Sequence, residues 1–272
     1  MKSKTNLLRL VESALLLAVA TVLSMIKVLD LPYGGSITAC SALPVLLVAY
    51  RHGTPWGLFT GFAYSLLQLL LGLNTLSYFT TPLSIVAVIV LDYLLAFTVL
   101  GLGGLFRRAV PTQSAALLLG ALLTGILRYC LHVISGCTVW AGLSIPDEAA
   151  LTYSLAYNAT YMVPEIIVTL LGVWYLSRAL DVRGTVPTRA PAVSAQSRPS
   201  FVLGLVSKGA LVVAGVWDVV EIFRYLQDAE TGEFIITGLQ SVNWLTVGIV
   251  TAAGVLVWAV LECIRRFTDK TE

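Results

Sequence analysis

Charge is the scarcest commodity in this 272-residue chain: Asp, Glu, Lys and Arg together make up 12% of it, about half the fraction of a soluble globular domain. A soluble core of this size needs far more polar surface to cover itself, so the composition excludes an ordinary cytosolic enzyme. Cysteine is sparse as well. Cys40, Cys130, Cys137 and Cys263 lie in apolar stretches and form no CxxC pair and no Cys/His pair of zinc-site spacing, which leaves no metal site to propose. The chain also lacks GxSxG, HExxH and the GxxxxGK[ST] phosphate loop, so neither the common hydrolase arrangements nor P-loop ATP hydrolysis is available to it. A net charge of +2 with no cluster of basic and aromatic residues argues against nucleic acid as a partner.

What is present is apolar residue in long runs: 57% of the chain is hydrophobic. Stretches near 9–28, 36–50, 54–72, 82–106, 112–141, 152–179, 203–223 and 243–264 are separated by turn or charge signals, which predicts an all-α polytopic membrane protein of eight helices. Span two is short and contains Pro44. Of the 17 basic residues, Arg128 lies inside a span, Lys27 and Arg224 sit at span ends on one side, and the other 14 fall on the opposite side. Lys and Arg collect in the cytoplasm, so both termini are expected there. Residues 181–200, DVRGTVPTRAPAVSAQSRPS, have no apolar period and read as a cytoplasmic linker between a six-span body at 1–180 and a two-span hairpin at 201–272. No internal repeat suggests the inverted halves of a secondary transporter.

Polar residues inside spans are costly and are therefore the first functional suspects. Asp92 stands in the middle of IVLDYLLAF with Tyr93 beside it. In RYCLHVISGCTVW, steps of four and eight residues put Arg128, His132 and Trp140 on one helical face; in TYSLAYNATYMVPE, Asn158, Tyr161 and Glu165 share another, with Tyr153 and Tyr157 flanking it. Two readings of Arg128 and Glu165 stand side by side: members of a ligand pocket, or an ion pair, Arg128 with Asp92 or Glu165, that glues helices together. A carboxylate, an imidazole, an amide and several aromatic rings at similar depth suit a small heteroaromatic, cationic solute.

The runs LVESALLLAVATVLSMI, YGGSITACSALPVLLVAYRHGTPWGLFTGFAYSLLQLLLG, LDYLLAFTVLGLGGLFR, RYCLHVISGCTVW and YSLAYN, in this order, resemble the thiamine-specific, YuaJ-like substrate-binding (S) components of energy-coupling factor (ECF) transporters over about residues 1–180. The resemblance implies a six-helix S-component bundle that captures thiamine at a bacterial plasma membrane and works with a transmembrane coupling subunit and two ATPase subunits. It implies no cofactor and no catalysis in this chain. By motif, Asp92 falls at the acidic position that contacts the aminopyrimidine, followed by Tyr93; His132, Trp140, Tyr153 and Asn158 fall on the remaining ligand positions, with Trp140 as the stacking platform. Gly35 stands where some relatives carry a tryptophan, a gap that Tyr33, Tyr78 or Phe79 could fill. Ala14 and Ala18 make a small-xxx-small pair where the family contacts its coupling subunit. Two other readings compete with this one: a stand-alone proton-coupled carrier using Asp92, His132 and Glu165 as a relay, and an intramembrane enzyme using His132 and Asp92 as acid and base.

Overall fold

The structure, a computed structural model, describes residues 2–31, 35–143, 147, 149–190, 198–226 and 235–268, and divides into two compact units, 1–190 and 191–272. The first unit holds six helices, α1 (Lys2–Met25), α2 (Leu43–His52), α3 (Thr54–Leu71), α4 (Pro82–Arg107), α5 (Gln113–Thr138) and α6 (Ala150–Ala179). The second holds α7 (Arg198–Leu226) and α8 (Trp244–Thr268). Of these eight, α1, α4, α5, α6, α7 and α8 are long and apolar enough to cross a membrane.

One of the two exceptions, α2, has a plain physical reason. Ten residues, about 15 Å of helix, fall short of a bilayer, and every residue of α2 from Pro44 to Arg51 is buried, so it is a core helix rather than a lipid-facing one. Pro44 sits in its first turn, where a missing N–H costs nothing, and so begins the helix instead of kinking it. The start of the expected second span is not helical: β1 (Lys27–Asp30) pairs antiparallel with β2 (Ser36–Thr38), Asp30 opposite Ser36.

The core of the first unit gathers Val45, Leu46 and Tyr50 of α2, Tyr64 of α3, Leu100 of α4 and Leu117 of α5. Close approach of α3 and α4 depends on small residues. A Cβ on Gly101 would lie 2.2 Å from the backbone N of Leu58, a distance no side chain tolerates, so α4 touches α3 backbone to backbone there. α4 is also irregular, with a π turn over Ile89–Leu95 and 3₁₀ geometry over Val99–Arg107.

At the other end of this unit Arg51 is nearly sealed. It donates to both oxygens of Glu12 on α1 and to the backbone oxygens of Val182, Gly184 and Thr185. Gln113 adds bonds to the carbonyl of Leu180 (2.7 Å) and from the N–H of Val182 (2.8 Å). These bonds, with the short pairing of β3 (Leu180–Asp181) and β4 (Thr188–Arg189), fold residues up to 190 into the first unit.

In the second unit α7 and α8 pack antiparallel: Lys208 is 3.9 Å from Glu262, Gly254 meets the side chain of Ala214, and Thr251 donates to Asp218 at 2.6 Å. Glu221 and Arg224 pair at 3.3 Å along one face, as their spacing predicts.

Candidate functional site

A cavity of about 460 Å³ opens within the first unit, bordered by the β1–β2 hairpin, α3, α4, α5 and α6. Its acidic centre is Asp92. Successive residues of a regular α-helix point about 100° apart, yet Asp92 and Tyr93 both border this cavity, because they sit in the wider π turn of α4. The Tyr93 hydroxyl is anchored by donation to the Gly72 carbonyl at 3.0 Å.

Three side chains of one neighbouring helix and its end hold the Asp92 carboxylate. His132 Nδ1 lies 2.9 Å from Oδ1; the Ser135 hydroxyl and the Trp140 indole N–H donate to Oδ2 at 2.6 and 3.0 Å. Ionised carboxylate accepts several such bonds at once, and each charge-assisted one contributes about 1.5–3 kcal/mol. The carboxylate is therefore positioned before anything binds, with its charge directed at the cavity. Ser135 is a contact that reading the sequence missed; it lies on the same face as His132, three residues on, but a serine in a span carries no signal of its own.

The Trp140 ring is braced in turn. Phe79 packs edge-on against it at 4.7 Å and Tyr78 lies at 6.2 Å, within a cluster that includes Val88, Tyr93, Tyr153 and Tyr157. Tyr78 and Phe79 pack against the tryptophan and Tyr153 belongs to the same cluster; none of the three borders the cavity, whereas Tyr157 does. Tyr78 and Phe79 consequently do not fill the space of the aromatic absent at Gly35. Gly35 has φ +89°, and a Cβ there would come within 2.8 Å of the Tyr161 ring, so Tyr161 occupies that space. Tyr33, the other candidate, lies outside the described residues.

Asn158 is locked rather than loose. Its amide donates to the carbonyls of Ser154 (2.9 Å) and His132 (3.3 Å), and its Oδ1 accepts from the Tyr161 hydroxyl at 2.5 Å. Two turns further along α6, Glu165 accepts from the Thr38 N–H at 2.6 Å and the Thr38 hydroxyl at 2.7 Å, which ties β2 to the cavity wall. Thr38, and Ser41, which lines the cavity as well, were invisible as site residues in the sequence.

Arg128, one turn of α5 from His132, is 8% exposed and lies with its guanidinium carbon 4.7 Å over the Phe97 ring. It forms no ion pair with Asp92 or Glu165 within 4.0 Å; Asp92 is engaged by His132, Ser135 and Trp140, and Glu165 by Thr38. The helix-gluing ion pair expected as one alternative is thus absent, for the physical reason that each carboxylate has already found its partners. Ala14 and Ala18 lie apart from all this, exposed on α1.

The arrangement defines a helical, multi-pass membrane protein with one preorganised polar and aromatic binding cavity. Its first unit matches the thiamine transporter protein family, Thia_YuaJ, over residues 10–183, and the chain belongs to that family. It is 32% identical over 179 residues to the thiamine transporter ThiT of Bacillus subtilis, covering 62% of this chain and 89% of that one. To ThiT of Lacticaseibacillus paracasei it is 27% identical over 192 residues, 65% and 90% of the two chains. A solved structure of ThiT from Listeria monocytogenes superposes with a TM-score of 0.52 at 24% identity, over 63% of this chain and 94% of that one, which establishes the shared fold. The hairpin beyond residue 190 lies outside the family match.

Proposed function

We propose that this protein captures thiamine with high affinity in the Asp92 cavity and serves as the S component of an ECF transporter, with ATP hydrolysis in two separate subunits and a transmembrane coupling subunit between them. The observation that carries the proposal is the Asp92 carboxylate, held by His132, Ser135 and Trp140 at the edge of a 460 Å³ aromatic-walled cavity. Thiamine has a cationic ring and a flat aminopyrimidine. A fixed carboxylate suits the amine or the cation, and the Trp140 and Tyr157 rings that line the cavity suit stacking. His132, Asn158 and Tyr93 also line the cavity.

The orientation that fits the charge distribution puts both termini in the cytoplasm of a bacterium and the Trp140 end of α5 outside, so that the cavity fills from the exterior of the plasma membrane. In that arrangement Ala14 and Ala18, on the exposed face of α1, offer a smooth surface for the coupling subunit.

Titrating purified protein with thiamine while following tryptophan fluorescence tests capture: saturable quenching that disappears in Trp140→Ala is expected, and no saturable signal in the unmodified protein overturns the proposal. Uptake of thiamine by cells lacking the shared ATPase module tests the energy source. None is expected; robust, proton-driven uptake would instead establish a stand-alone carrier. Recovery of the bound ligand chemically unchanged is the expected outcome that separates capture from catalysis.

A further inference from the structure

The cavity has two ends of unlike chemistry, and one of them is incomplete. At the Trp140 end both oxygens of Asp92 have partners. One turn of α5 away, Arg128 does not: its Nε is buried and makes no hydrogen bond, and its guanidinium borders the cavity beside Phe97. A guanidinium carries five N–H donors and no acceptor, and a buried, unpaired donor on a charged group is among the most costly features a fold can keep. Both carboxylates that could have met Arg128 are occupied elsewhere, Glu165 by Thr38 and Asp92 by its three donors. The aromatic face of Phe97 offsets part of the charge and supplies no acceptor lone pair.

Resting on the thiamine reading of this cavity, we infer that Arg128 is a specificity-determining residue that receives an acceptor oxygen at the end of the ligand's side chain, the hydroxyl of thiamine or the phosphate of a phosphorylated form. Charge fixes the direction in which the ligand lies. A ring cation next to Arg128 is repelled, whereas one placed beside the Asp92 carboxylate is attracted, and the side chain then extends toward the guanidinium. An acceptor oxygen on the ligand supplies the partner that the protein's own groups do not give Arg128, and a ligand without that oxygen leaves it unsatisfied.

The test measures binding of thiamine, of its analogue with hydrogen in place of the hydroxyl, and of thiamine monophosphate to the unmodified protein and to Arg128→Gln. The unmodified protein is expected to favour thiamine over the analogue about tenfold, the value of one good hydrogen bond to a charged donor, and Arg128→Gln is expected to bind the two alike. A loss in Arg128→Gln that is larger for the monophosphate than for thiamine identifies phosphate as the preferred oxygen; equal losses identify the hydroxyl. Equal binding of thiamine and the analogue by the unmodified protein overturns the inference while leaving thiamine capture intact, and that comparison decides even where Arg128→Gln fails to fold. Failure of all three ligands to bind the unmodified protein overturns the thiamine reading itself.

Discussion

Asp92 in the first unit and Asp218 in the second are both carboxylates embedded in apolar helices, and their surroundings differ. Asp92 meets donors from His132, Ser135 and Trp140 and faces a cavity. Asp218 meets the Thr251 hydroxyl at 2.6 Å, while its Oδ1 is buried without a partner. The cost of placing an acid in a span makes both of them suspects. Convergence separates them: Asp92 draws on several groups, backed by residues of α3, α4 and α6, whereas Asp218 joins two helices at a point. A polar residue in a membrane helix earns a binding role only when the surrounding elements leave room for a ligand beside it.

The sharpest way to break this comparison is to neutralise both acids. Asp92→Asn keeps the size of the side chain, removes its charge, and sets an amide N–H₂ against donors that a carboxylate accepted. Thiamine affinity, followed by tryptophan fluorescence, is expected to fall about 100-fold or more. Asp218→Asn is expected to leave affinity within about twofold. Comparable losses in the two variants would show that the hairpin takes part in binding and would remove the distinction between the units.

Next in size is a stability effect at the far wall of the cavity. Glu165→Leu leaves the buried Thr38 N–H without its acceptor and detaches β2 from α6. The expected destabilisation is roughly 1–3 kcal/mol, read as a lower Tm in detergent solution. An unchanged Tm would mean that the strand is held by its other bonds, among them those of the β1–β2 ladder.

Much of this was legible in the sequence, and the part that was not has identifiable causes. Periodicity and hydropathy placed eight helices, because lipid and core leave a strong signal in runs of apolar residues. The spacing of Arg128 and His132, and of Asn158, Tyr161 and Glu165, placed two faces that the structure brings to one cavity, since four-residue steps in a regular helix fix direction; Trp140, expected on the first of these faces, instead follows the end of α5 at Thr138 and reaches Asp92 from the chain beyond the helix. The π turn at Asp92 was hidden, as it changes the facing of residues without changing their hydrophobicity. So was the β1–β2 hairpin, whose strands of four and three residues are too short for a period to emerge. Tyr153 belongs to the cluster around Trp140 rather than to the cavity lining, a distinction that no one-dimensional pattern carries. Partner choice was the hardest to read: sequence offered Arg128 two carboxylates, and the fold gave those to Thr38 and to the donors around Asp92.

A smaller effect refines the account of the Asp92 end. Trp140→Phe retains a ring for stacking and for the contact with Phe79 but loses the N–H that donates to Asp92 at 3.0 Å. Affinity for thiamine is expected to drop about tenfold, less than for Asp92→Asn, because one donor of three is lost while the charge remains. A loss as large as that of Trp140→Ala would place the weight on the hydrogen bond instead of the aromatic face.

The smallest expected effect comes from an acid outside the spans, and it tests whether burial is what makes Asp92 matter. Asp181 is held by its neighbour Arg183, whose guanidinium donates at 3.1 and 3.0 Å and whose backbone N–H donates at 3.0 Å. The side-chain hydrogen bond from Arg183 lowers the Asp181 pKa below the usual carboxylate value, with the backbone bond adding to it. A depressed folded-state pKa stabilises the protein above the unfolded-state value, and the contribution is lost as pH falls through the folded-state one. Asp181→Asn is therefore expected to lower Tm slightly at neutral pH and to match the unmodified protein in acid below the carboxylate range. Water screens this pair as it cannot screen Asp92, so the neutral-pH difference should shrink with added salt. A difference that persists in acid would assign the effect to the side chain's shape rather than to its charge.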